Sequence, residues 1–407
     1  MASKLVFMPS FSSECTLLLL DVSRLIWRAW RRQLPTGIDR ACLAYMQHYS
    51  EHALAVVQRG GFTCVLSRHH SDELFELLGQ APGDFRKRLV ALLAKSFLGR
   101  RVSSNIISNA FYLNVGHTGL DRAGHSRWVR RSGVRAVYYV HDLIPITHSQ
   151  YARAGEPERH AARMEAVLHN GHAIIANSDD SIAALTSFAD SRQLAVPAAL
   201  KVPLGVETLH GDHVDTNMPP LDRPYFITLG TIEARKNHRL LLNIWHKLIN
   251  KMGKEAPRLV IVGQRGWMAD DVFAALDGDT QLKPYIHELG RCKDDELAVW
   301  LLHARALLFP SYVEGQGLPM IEALAMGTPV IASDLLVFRE TAGDIAEYID
   351  LEKEDEWLQA VADYSQADHS RRGGQIARMG GYTPPTWQEH FCKVDAWLSQ
   401  LSERSNT

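Results

Sequence analysis

The fold of this 407-residue chain is decided by the stretch Glu314-Gly-Gln-Gly-Leu-Pro-Met-Ile-Glu322-Ala-Leu-Ala-Met-Gly327-Thr-Pro-Val-Ile-Ala-Ser333. It follows an apolar run that ends at Phe309 and predicts a buried strand. The glycine-rich start predicts a flexible loop, and Pro319 suits the first turn of a helix. Gly327, followed by Pro329, predicts the end of that helix. The stretch therefore predicts one strand–loop–helix unit of a parallel α/β sheet.

The loop and helix start of this unit are suited to a phosphorylated ligand. The backbone N–H groups near Gly317 and Leu318, together with the positive end of the helix dipole, favour an anion. Glu314 in the loop and Glu322 one turn into the helix face the same end of the strand, where carboxylates suit the hydroxyl groups of a sugar or a ribose. The alternative is an ordinary strand–turn–helix with two solvated glutamates.

A second segment places two cations at a helix start. It runs from Phe226 through Gly230, Arg235 and Lys236 to His238 and continues into a leucine-rich helix. Gly230 permits a sharp turn, and cations beside a helix N-terminus are unfavourable for its dipole unless an anion binds there. The alternative is a solvated basic pair.

Short apolar runs alternate with helical patterns along the chain, which indicates two doubly wound α/β domains with parallel sheets. Strands are predicted at 17–21, 136–140, 173–176, 225–229, 259–262, 306–309 and 329–332. The polar stretch at 206–224 is the predicted linker between domains at 1–205 and 225–385. A last helix is predicted at 386–407, and the pattern leaves open whether it crosses back to the N-terminal domain.

The two charged segments resemble the signature of a known family. The spacing of Glu314 and Glu322 is similar to the E-x7-E motif of the retaining nucleotide-sugar glycosyltransferases of the glycogen-synthase-like type, often called family 4. The resemblance is close over residues 225–350 and looser over 35–205. It implies the GT-B architecture, in which two Rossmann-like domains face each other across a cleft, and sugar transfer with retention of configuration.

The resemblance also implies roles for individual residues. Arg235 and Lys236, with the helix amides at Gly317, would stabilise the leaving diphosphate of a nucleoside diphosphate sugar. Glu314 would bind sugar hydroxyls and Glu322 the ribose. Because cations and amides suffice to neutralise the diphosphate, neither a metal nor a further cofactor is expected, and the Asp277-Gly278-Asp279 string is interpreted as a polar loop.

Further donor contacts are expected from turn residues. They are Gly230, Gly263, Leu318 and, where the base would bind, Arg291 and Cys292. For the segments around Gly263 and Arg291 a plain strand–helix turn is the equal alternative. Gln316 stands where close relatives usually carry an aromatic residue, which leaves the identity of the donor sugar open.

Two residues of the N-terminal half complete the predicted site. His141 follows a strand, and by resemblance it would reach the donor sugar; the alternative is a histidine satisfied at a strand end. Thr36 and Asp39 predict a capping box that opens a helix at Gly37. In the family a glycine of this loop lies near the donor phosphates or the acceptor, and a pure helix-start role for Gly37 is the alternative.

The net charge of −2 hides an asymmetry between the halves. Residues 1–200 carry 23 Lys and Arg against 16 Asp and Glu, whereas residues 201–407 carry 21 against 30. Basic stretches at 24–32, 85–101 and 122–135 suit either a helix on an anionic membrane or a core helix whose long cations reach water. A lipid-diphosphate-linked saccharide acceptor would explain the bias. Nucleic acid is not expected, since the pI is near 6.8 and no nucleic-acid module is present.

The function predicted is transfer of a hexose, with mannose from GDP-mannose as the leading candidate, to a lipid-linked saccharide in cell-surface polysaccharide synthesis. The five scattered cysteines favour a cytoplasmic protein with reduced thiols, with a peripheral contact at the inner face of the cell membrane left open. Two alternatives remain: a GT-B protein that has lost catalysis and acts as a binding partner, and a nucleotide-dependent oxidoreductase. The second would need a G-x-G-x-x-G turn after a strand, which we do not find.

Overall fold

The computed structural model describes residues 17–32, 36–98, 102–206, 219–290 and 292–404. These residues form two compact units. The first contains the chain up to Thr147, Gly155–Gly205 and the stretch from Thr386 onward, and the second contains His148–Ala154 and Val206–Pro385. Most of the predicted linker, residues 207–218, lies outside the described residues.

The first unit is built on a mainly parallel sheet. In the described residues its strands are β1 (Leu18–Asp21), β2 (Ala53–Arg59), β3 (Phe62–Val65), β4 (Phe111–Asn114), β5 (Arg135–Val140), β6 (Gly171–Ala176) and β7 (Ala198–Lys201). They lie in the order β3-β2-β1-β4-β5-β6-β7. Every residue of β1 and β4 is buried, as expected for apolar strands covered on both faces.

One edge of this sheet departs from the predicted parallel pattern. β2 and β3 pair antiparallel, with Arg59 opposite Phe62. The two residues between them, Gly60 and Gly61, have φ angles of +60° and +84°. Positive φ at both positions is what a tight two-residue hairpin requires, so the Gly-Gly pair in the sequence is the signal for this hairpin.

Helices connect the strands of the first unit. In chain order they are α1 (Ser23–Arg31), α2 (Gly37–Tyr49), α3 (Arg68–Gln80), α4 (Phe85–Leu98), α5 (Ser104–Ile107), α6 (Ala123–Ser132), α7 (Ile144–Thr147), α8 (Glu156–Asn170) and α9 (Asp179–Ser191). Among the helices of the described ranges, none combines the length and the apolar character that a membrane crossing needs.

The second unit is built on a parallel sheet. Its described strands are β8 (Tyr225–Leu229), β9 (Arg258–Val262), β10 (Ile286–Leu289), β11 (Leu307–Phe309), β12 (Val330–Ser333) and β13 (Glu347–Ile349). Its helices are α10 (His238–Met252), α11 (Asp270–Gly278), α12 (Asp294–His303), α13 (Leu318–Ala325), α14 (Leu336–Ala342), α15 (Glu354–Ser365) and α16 (Ser370–Met379). The order β10-β9-β8-β11-β12-β13 reverses direction between β8 and β11, and such a switch point is where open α/β sheets bind ligands.

The last helix, α17 (Trp387–Arg404), belongs to the first unit. It packs on α2, where the hydroxyl group of Tyr49 donates to Asp395 Oδ1 at 2.6 Å and Tyr45 Oη lies 2.9 Å from His390 Nε2. The ring of Phe391 lies 5.1 Å from that of Tyr45. The helical pattern predicted the helix but not its partner, because its apolar stripe fits either sheet.

Two features differ from expectation or were not foreseen. The loop predicted at 277–279 is wrong for its first two residues, because Asp277 and Gly278 lie in α11. Asp277 accepts hydrogen bonds from Arg265 at 2.6 and 2.8 Å. The short segment His148–Ala154 lies on the second unit. There Trp267 Nε1 donates to the carbonyl oxygen of Tyr151 at 3.1 Å.

Candidate functional site

The candidate site of the second unit lies at the carboxyl edge of its sheet, where β8 and β9 end. Gly230 follows β8 with a φ of +130°. A Cβ atom on Gly263, which follows β9, would lie 1.8 Å from the carbonyl oxygen of Gly230. The two turns therefore pack backbone against backbone, a contact that only glycine at 263 permits.

The loops after β8 and β11 bring four charged side chains together. Lys236 Nζ donates to Glu314 Oε1 at 2.5 Å, and Arg235 Nη1 lies 2.9 Å from the same oxygen. Arg235 Nε also pairs with Glu233 Oε1 at 2.5 Å, and the Ser311 hydroxyl donates to Glu314 Oε1 at 2.8 Å. The formal charges of two cations and two carboxylates cancel. We call Glu233, Arg235, Lys236 and Glu314 the ionic cluster.

Burial and pairing set the protonation states of the ionic cluster. Burial by itself would raise the pKa of Glu314, but the charges of Arg235 and Lys236 outweigh it and lower that pKa to about 2. Burial lowers the pKa of Lys236, against the attraction of Glu314. Burial raises the pKa of Glu233, because it disfavours the charged form of an acid as it does that of a base. Glu314 is thus a carboxylate at neutral pH, so its oxygens accept hydrogen bonds from hydroxyl groups.

The helix start predicted from the sequence lies beside the ionic cluster in the chain. α13 begins at Leu318, with Gly317 as its N-cap at a φ of +87°. A Cβ atom on Gly317 would lie 2.8 Å from Phe338, so this close turn also requires glycine. Glu322 is half-buried within α13. Gln316 is buried, and its backbone carbonyl accepts a hydrogen bond from Thr341 Oγ1 at 2.9 Å.

The predicted base-binding loop is described only in part, because Arg291 lies outside the described residues. Its neighbour Cys292 is half-buried against the apolar core of the second unit. Burial, with the acids Glu296 and Asp294 nearby, raises the pKa of the Cys292 thiol to about 12. The group is therefore an uncharged thiol at neutral pH. A nucleotide-base contact at this loop stays a prediction.

His141 occupies the corresponding carboxyl edge of the first unit, directly after β5. It is buried, and its Nε2 lies 2.8 Å from the carbonyl oxygen of Val115, so Nε2 carries the proton and donates it. Burial lowers the pKa of His141 to about 4. Its ring lies 5.3 Å from that of His117, whose Nε2 is 2.6 Å from the carbonyl oxygen of Tyr139. His141 is thus a neutral imidazole satisfied at a strand end, as in the alternative above.

Gly37 begins α2, and the predicted capping box is present. The N–H group of Thr36 donates to Asp39 Oδ2 at 2.7 Å. Asp39 is buried and also pairs with Arg24 and Arg28, at 2.6 and 2.9 Å. The helix-start role of Gly37 is confirmed, whereas a ligand contact stays a prediction. The charge triad of Asp39, Arg24 and Arg28 was not foreseen.

The sequence reasoning also missed two residues at the carboxyl edge of the second sheet. Glu233 precedes Arg235 by two residues, and its position in the same turn was the available signal. His238 begins α10 and is buried, and neither ring nitrogen has a hydrogen-bond partner in the described residues. Burial lowers the pKa of His238 to about 3. Nothing in its local sequence distinguishes it from the other 18 of the 19 histidines.

Part of the chain is similar in sequence to known glycosyltransferases. Residues 223–366 match a family model described as Glycosyl transferases group 1. The serotype-specific mannosyltransferase WbdA of Escherichia coli is 29% identical over 263 residues, which are 60% of this chain and 32% of that protein. The O-antigen chain mannosyltransferase B of Escherichia coli is 35% identical over 120 residues, 30% of this chain and 31% of that protein. The chain thus spans about a third of the length of each of these two relatives.

A solved structure extends the fold comparison to nearly the whole chain. Anabaena Alr3699/HepE in complex with UDP superposes with a TM-score of 0.64 at 15% identity, covering 95% of this chain and 100% of that one. The two parallel-sheet units define the class, an α/β protein with the GT-B fold. Within that fold class, residues 223–366 form a domain that matches the glycosyl transferases group 1 family.

Proposed function

We propose that this protein transfers a hexose from a nucleoside diphosphate sugar to a saccharide acceptor in the synthesis of a cell-surface polysaccharide. The finer form of the proposal is transfer of mannose from GDP-mannose to a lipid-diphosphate-linked acceptor, with retention of configuration. The observation that carries it is the ionic cluster beside the α13 start. The similarity to the mannosyltransferases WbdA and O-antigen chain mannosyltransferase B supports mannose as the sugar.

The ionic cluster suits a leaving diphosphate. As the bond between the anomeric carbon and the phosphate oxygen breaks, the electron pair goes to the diphosphate and negative charge grows there. Arg235 and Lys236, with the amides at Gly317 and Leu318, would stabilise that charge without reorganising in the transition state. These donors are already held in place, because Glu314 and Glu233 fix the two cations.

The carboxylates suit the other half of the reaction. Glu314 would accept hydrogen bonds from sugar hydroxyls, and Glu322 from the ribose. The acceptor hydroxyl oxygen forms the new bond to the anomeric carbon, and its proton passes to the departing phosphate oxygen. The first unit would supply His141 as a neutral hydrogen-bonding group near the sugar. Since cations of the chain neutralise the diphosphate, we expect transfer to persist in EDTA.

The first unit has an exposed surface that suits an anionic membrane. Trp27 is 52% exposed and Val90 on α4 is 56% exposed. The Arg31 guanidinium lies 3.9 Å from the centre of the Trp27 ring, and Arg86 Nε donates to the backbone of Trp30 at 2.9 Å. Aromatic side chains interleaved with cations favour the interface of an anionic bilayer. We therefore expect flotation with vesicles that contain anionic lipid and none with neutral vesicles; equal behaviour with both would contradict a membrane contact.

The test of the proposed activity is a hydrolysis and transfer screen over GDP-, UDP- and dTDP-sugars, run with and without EDTA. Glu314→Gln keeps the shape of the side chain but removes its charge, and we expect it to lower turnover about 100-fold or more, the scale of losing one pre-organised polar contact. Glu340→Gln, an exposed glutamate of α14, is the matched control and should keep full turnover. Silence of the wild-type protein with every donor would favour the binding-partner alternative.

A further inference from the structure

We propose that Glu233 takes up a proton when the protein binds the diphosphate of its donor, which lets the ionic cluster accept the added negative charge. The inference rests on the proposed function in one respect, namely that a nucleoside diphosphate binds at the ionic cluster. It goes beyond that function because it gives Glu233 a change of protonation. Glu233 is thus a positioning residue, which acts on the ligand through Arg235.

The ionic cluster is balanced in charge before a ligand binds. Lys236 Nζ and Arg235 Nη1 lie 2.5 and 2.9 Å from the same oxygen, Glu314 Oε1. Arg235 Nε lies 2.5 Å from Glu233 Oε1. A diphosphate that binds the two cations therefore brings several negative charges to a place where two carboxylates already neutralise them. Because uncompensated charge is unfavourable away from water, such a site binds the anion more tightly once one carboxylate is neutral.

The hydrogen bonds of the two carboxylates indicate which of them takes the proton. Glu314 Oε1 receives both cations and also the hydroxyl group of Ser311, at 2.8 Å. These donors stabilise the ionised form, and they lower the pKa of Glu314 to about 2 against the effect of burial. Glu233 pairs with Arg235 through Oε1, whereas its Oε2 has no hydrogen-bond partner in the described residues. A proton added at Oε2 therefore leaves the pairing with Arg235 in place.

Burial also makes Glu233 the weaker of the two anions. Its residue is 3% exposed. A carboxylate oxygen that is buried without a hydrogen bond is unfavourable, and protonation reduces that penalty. Burial accordingly raises the pKa of Glu233, against the attraction of Arg235 and Lys236, and the charge of Glu314 raises it further. A bound diphosphate carries charge of the same sign as Glu314 and acts in the same direction.

The turn after β9 fixes the backbone beside Glu233. The N–H group of Gly266 donates to the carbonyl oxygen of Ile232 at 3.0 Å, and a Cβ atom on Gly266 would lie 3.5 Å from Cβ of Glu233. Arg265 of this turn pairs with acidic residues elsewhere in the unit. His238 at the start of α10 is a neutral imidazole, because burial lowers its pKa to about 3. The charges that act on Glu233 in the described part of the chain are those of the other three members of the ionic cluster.

The experiment measures how many protons the full chain takes up when GDP, or in parallel UDP, binds at pH 7. Titration calorimetry in buffers of different ionisation enthalpy gives this number as the slope of the binding enthalpy against the ionisation enthalpy of the buffer. Glu233→Gln keeps an oxygen for Arg235 but cannot take up the proton. We expect the wild-type protein to take up more protons per ligand than this variant, by up to about one. A proton lost by the nucleotide itself cancels in the difference.

The affinity of the same variant is a second readout. Glu233→Gln resembles the protonated state, so we expect it to bind the nucleotide about 10-fold more tightly than wild type at pH 8, the worth of a pKa change of one unit on binding. The difference should shrink as the pH falls towards 5, because the wild-type protein then carries the proton before the ligand arrives. Removal of a negative charge without any proton exchange would give the same difference at both pH values and would overturn the inference.

Glu255→Gln is the matched control, because Glu255 also pairs with an arginine, Arg223, but is 77% exposed. Its proton uptake and affinity should equal those of wild type. No proton uptake by the wild-type protein, a measurement that needs no variant, would overturn the inference. Equal uptake by wild type and Glu233→Gln would also overturn it, since the proton would then go to another group such as Lys236. In these cases the nucleotide still binds, whereas a failure of the proposed function would remove nucleotide binding from the wild-type protein.

Discussion

The carboxyl edges of the two sheets differ in the side chains that they bury. In the second unit the edge consists of glycine turns in backbone contact and of the ionic cluster, in which Lys236 and Glu314 form a buried ion pair. In the first unit the edge carries buried neutral histidines, His117 and His141, each of which donates a ring proton to a backbone carbonyl. The ionic cluster can hold a diphosphate by charge, whereas the buried histidine pair carries no charge at neutral pH. Under the proposed function, we expect the ionic cluster to bind the diphosphate of the donor by charge.

The largest effect is expected where backbone meets backbone in the second unit. Gly263→Ala would place a methyl group 1.8 Å from the carbonyl oxygen of Gly230, so the two turns must move apart. We expect the free energy of unfolding to fall by about 3 kcal/mol, the upper end of the cost of overpacking, in chemical denaturation. Gly373→Ala on α16 is the control, because nothing lies within 4 Å of its added Cβ. It should stabilise the helix by about 0.4–1 kcal/mol. Equal stability of the two variants would show that the glycine contact does not define this edge.

The next effect concerns the charge of that edge. Lys236→Ala removes the buried cation that pairs with Glu314, and we expect it to weaken binding of the nucleoside diphosphate about 10- to 100-fold, the worth of one or two charge-assisted hydrogen bonds. Lys247→Ala is the matched control, because Lys247 pairs with Glu354 and Asp355 on the surface. Its affinity should equal that of wild type by calorimetry. An unchanged affinity in Lys236→Ala would defeat our placement of the diphosphate and remove the contrast between the two edges.

The smallest effect concerns the pH dependence that the buried histidine pair gives to the stability of the first unit. The pKa of His141 is lowered from its ordinary 6.5 to about 4, so the unfolded chain takes up a proton first as the pH falls. Stability from this group is complete above pH 6.5 and is lost as the pH falls towards 4, by at most about 2 kcal/mol at pH 5. His141→Gln can place an amide donor near the Nε2 position, facing the Val115 carbonyl, but cannot titrate, so it should flatten the slope of unfolding free energy in this window.

Glu314→Gln is the corresponding test in the ionic cluster. The pKa of Glu314 is lowered from 4.5 to about 2, so its contribution is present above pH 4.5 and is lost as the pH falls towards 2. This variant should flatten the slope only below pH 4.5. Denaturation curves of both variants, measured from pH 7 to pH 2.5, provide the comparison. If both variants changed the slope over the same pH range, His141 would not be a neutral histidine and Glu314 an ionised carboxylate at neutral pH.

The carboxyl edge of the second sheet was largely predictable, because its chemistry is local in the sequence. Arg235 and Lys236 are adjacent, Gly317 and Glu314 lie in one loop, and each group follows a recognisable apolar strand. What the local pattern could not give was the pairing itself, since Lys236 and Glu314 are 78 residues apart and meet only because β8 and β11 are neighbours. The β2–β3 hairpin was missed, although the Gly60-Gly61 pair indicates a two-residue hairpin turn.

The carboxyl edge of the first sheet was far less predictable. Arg24 lies in α1, Asp39 lies in α2 and His141 directly follows β5, and no spacing links the three. Each was visible only as an isolated basic, capping or strand-end residue. Their proximity depends on the order of strands β1, β4 and β5, which is not a local property of the chain.

The sequence by itself determined the α/β class, the positions of most buried strands, the helix starts at Gly37 and Leu318 and the residues of the donor motif. These features depend on hydrophobic periodicity, on backbone freedom at glycine and on capping, all of which act over a few residues. The tertiary structure alone decided that α17 packs on α2, that Lys236 and Arg235 share Glu314 and that Asp39 gathers two arginines. Those contacts join residues far apart in the chain, and burial fixes their protonation states only once the strands have taken their order.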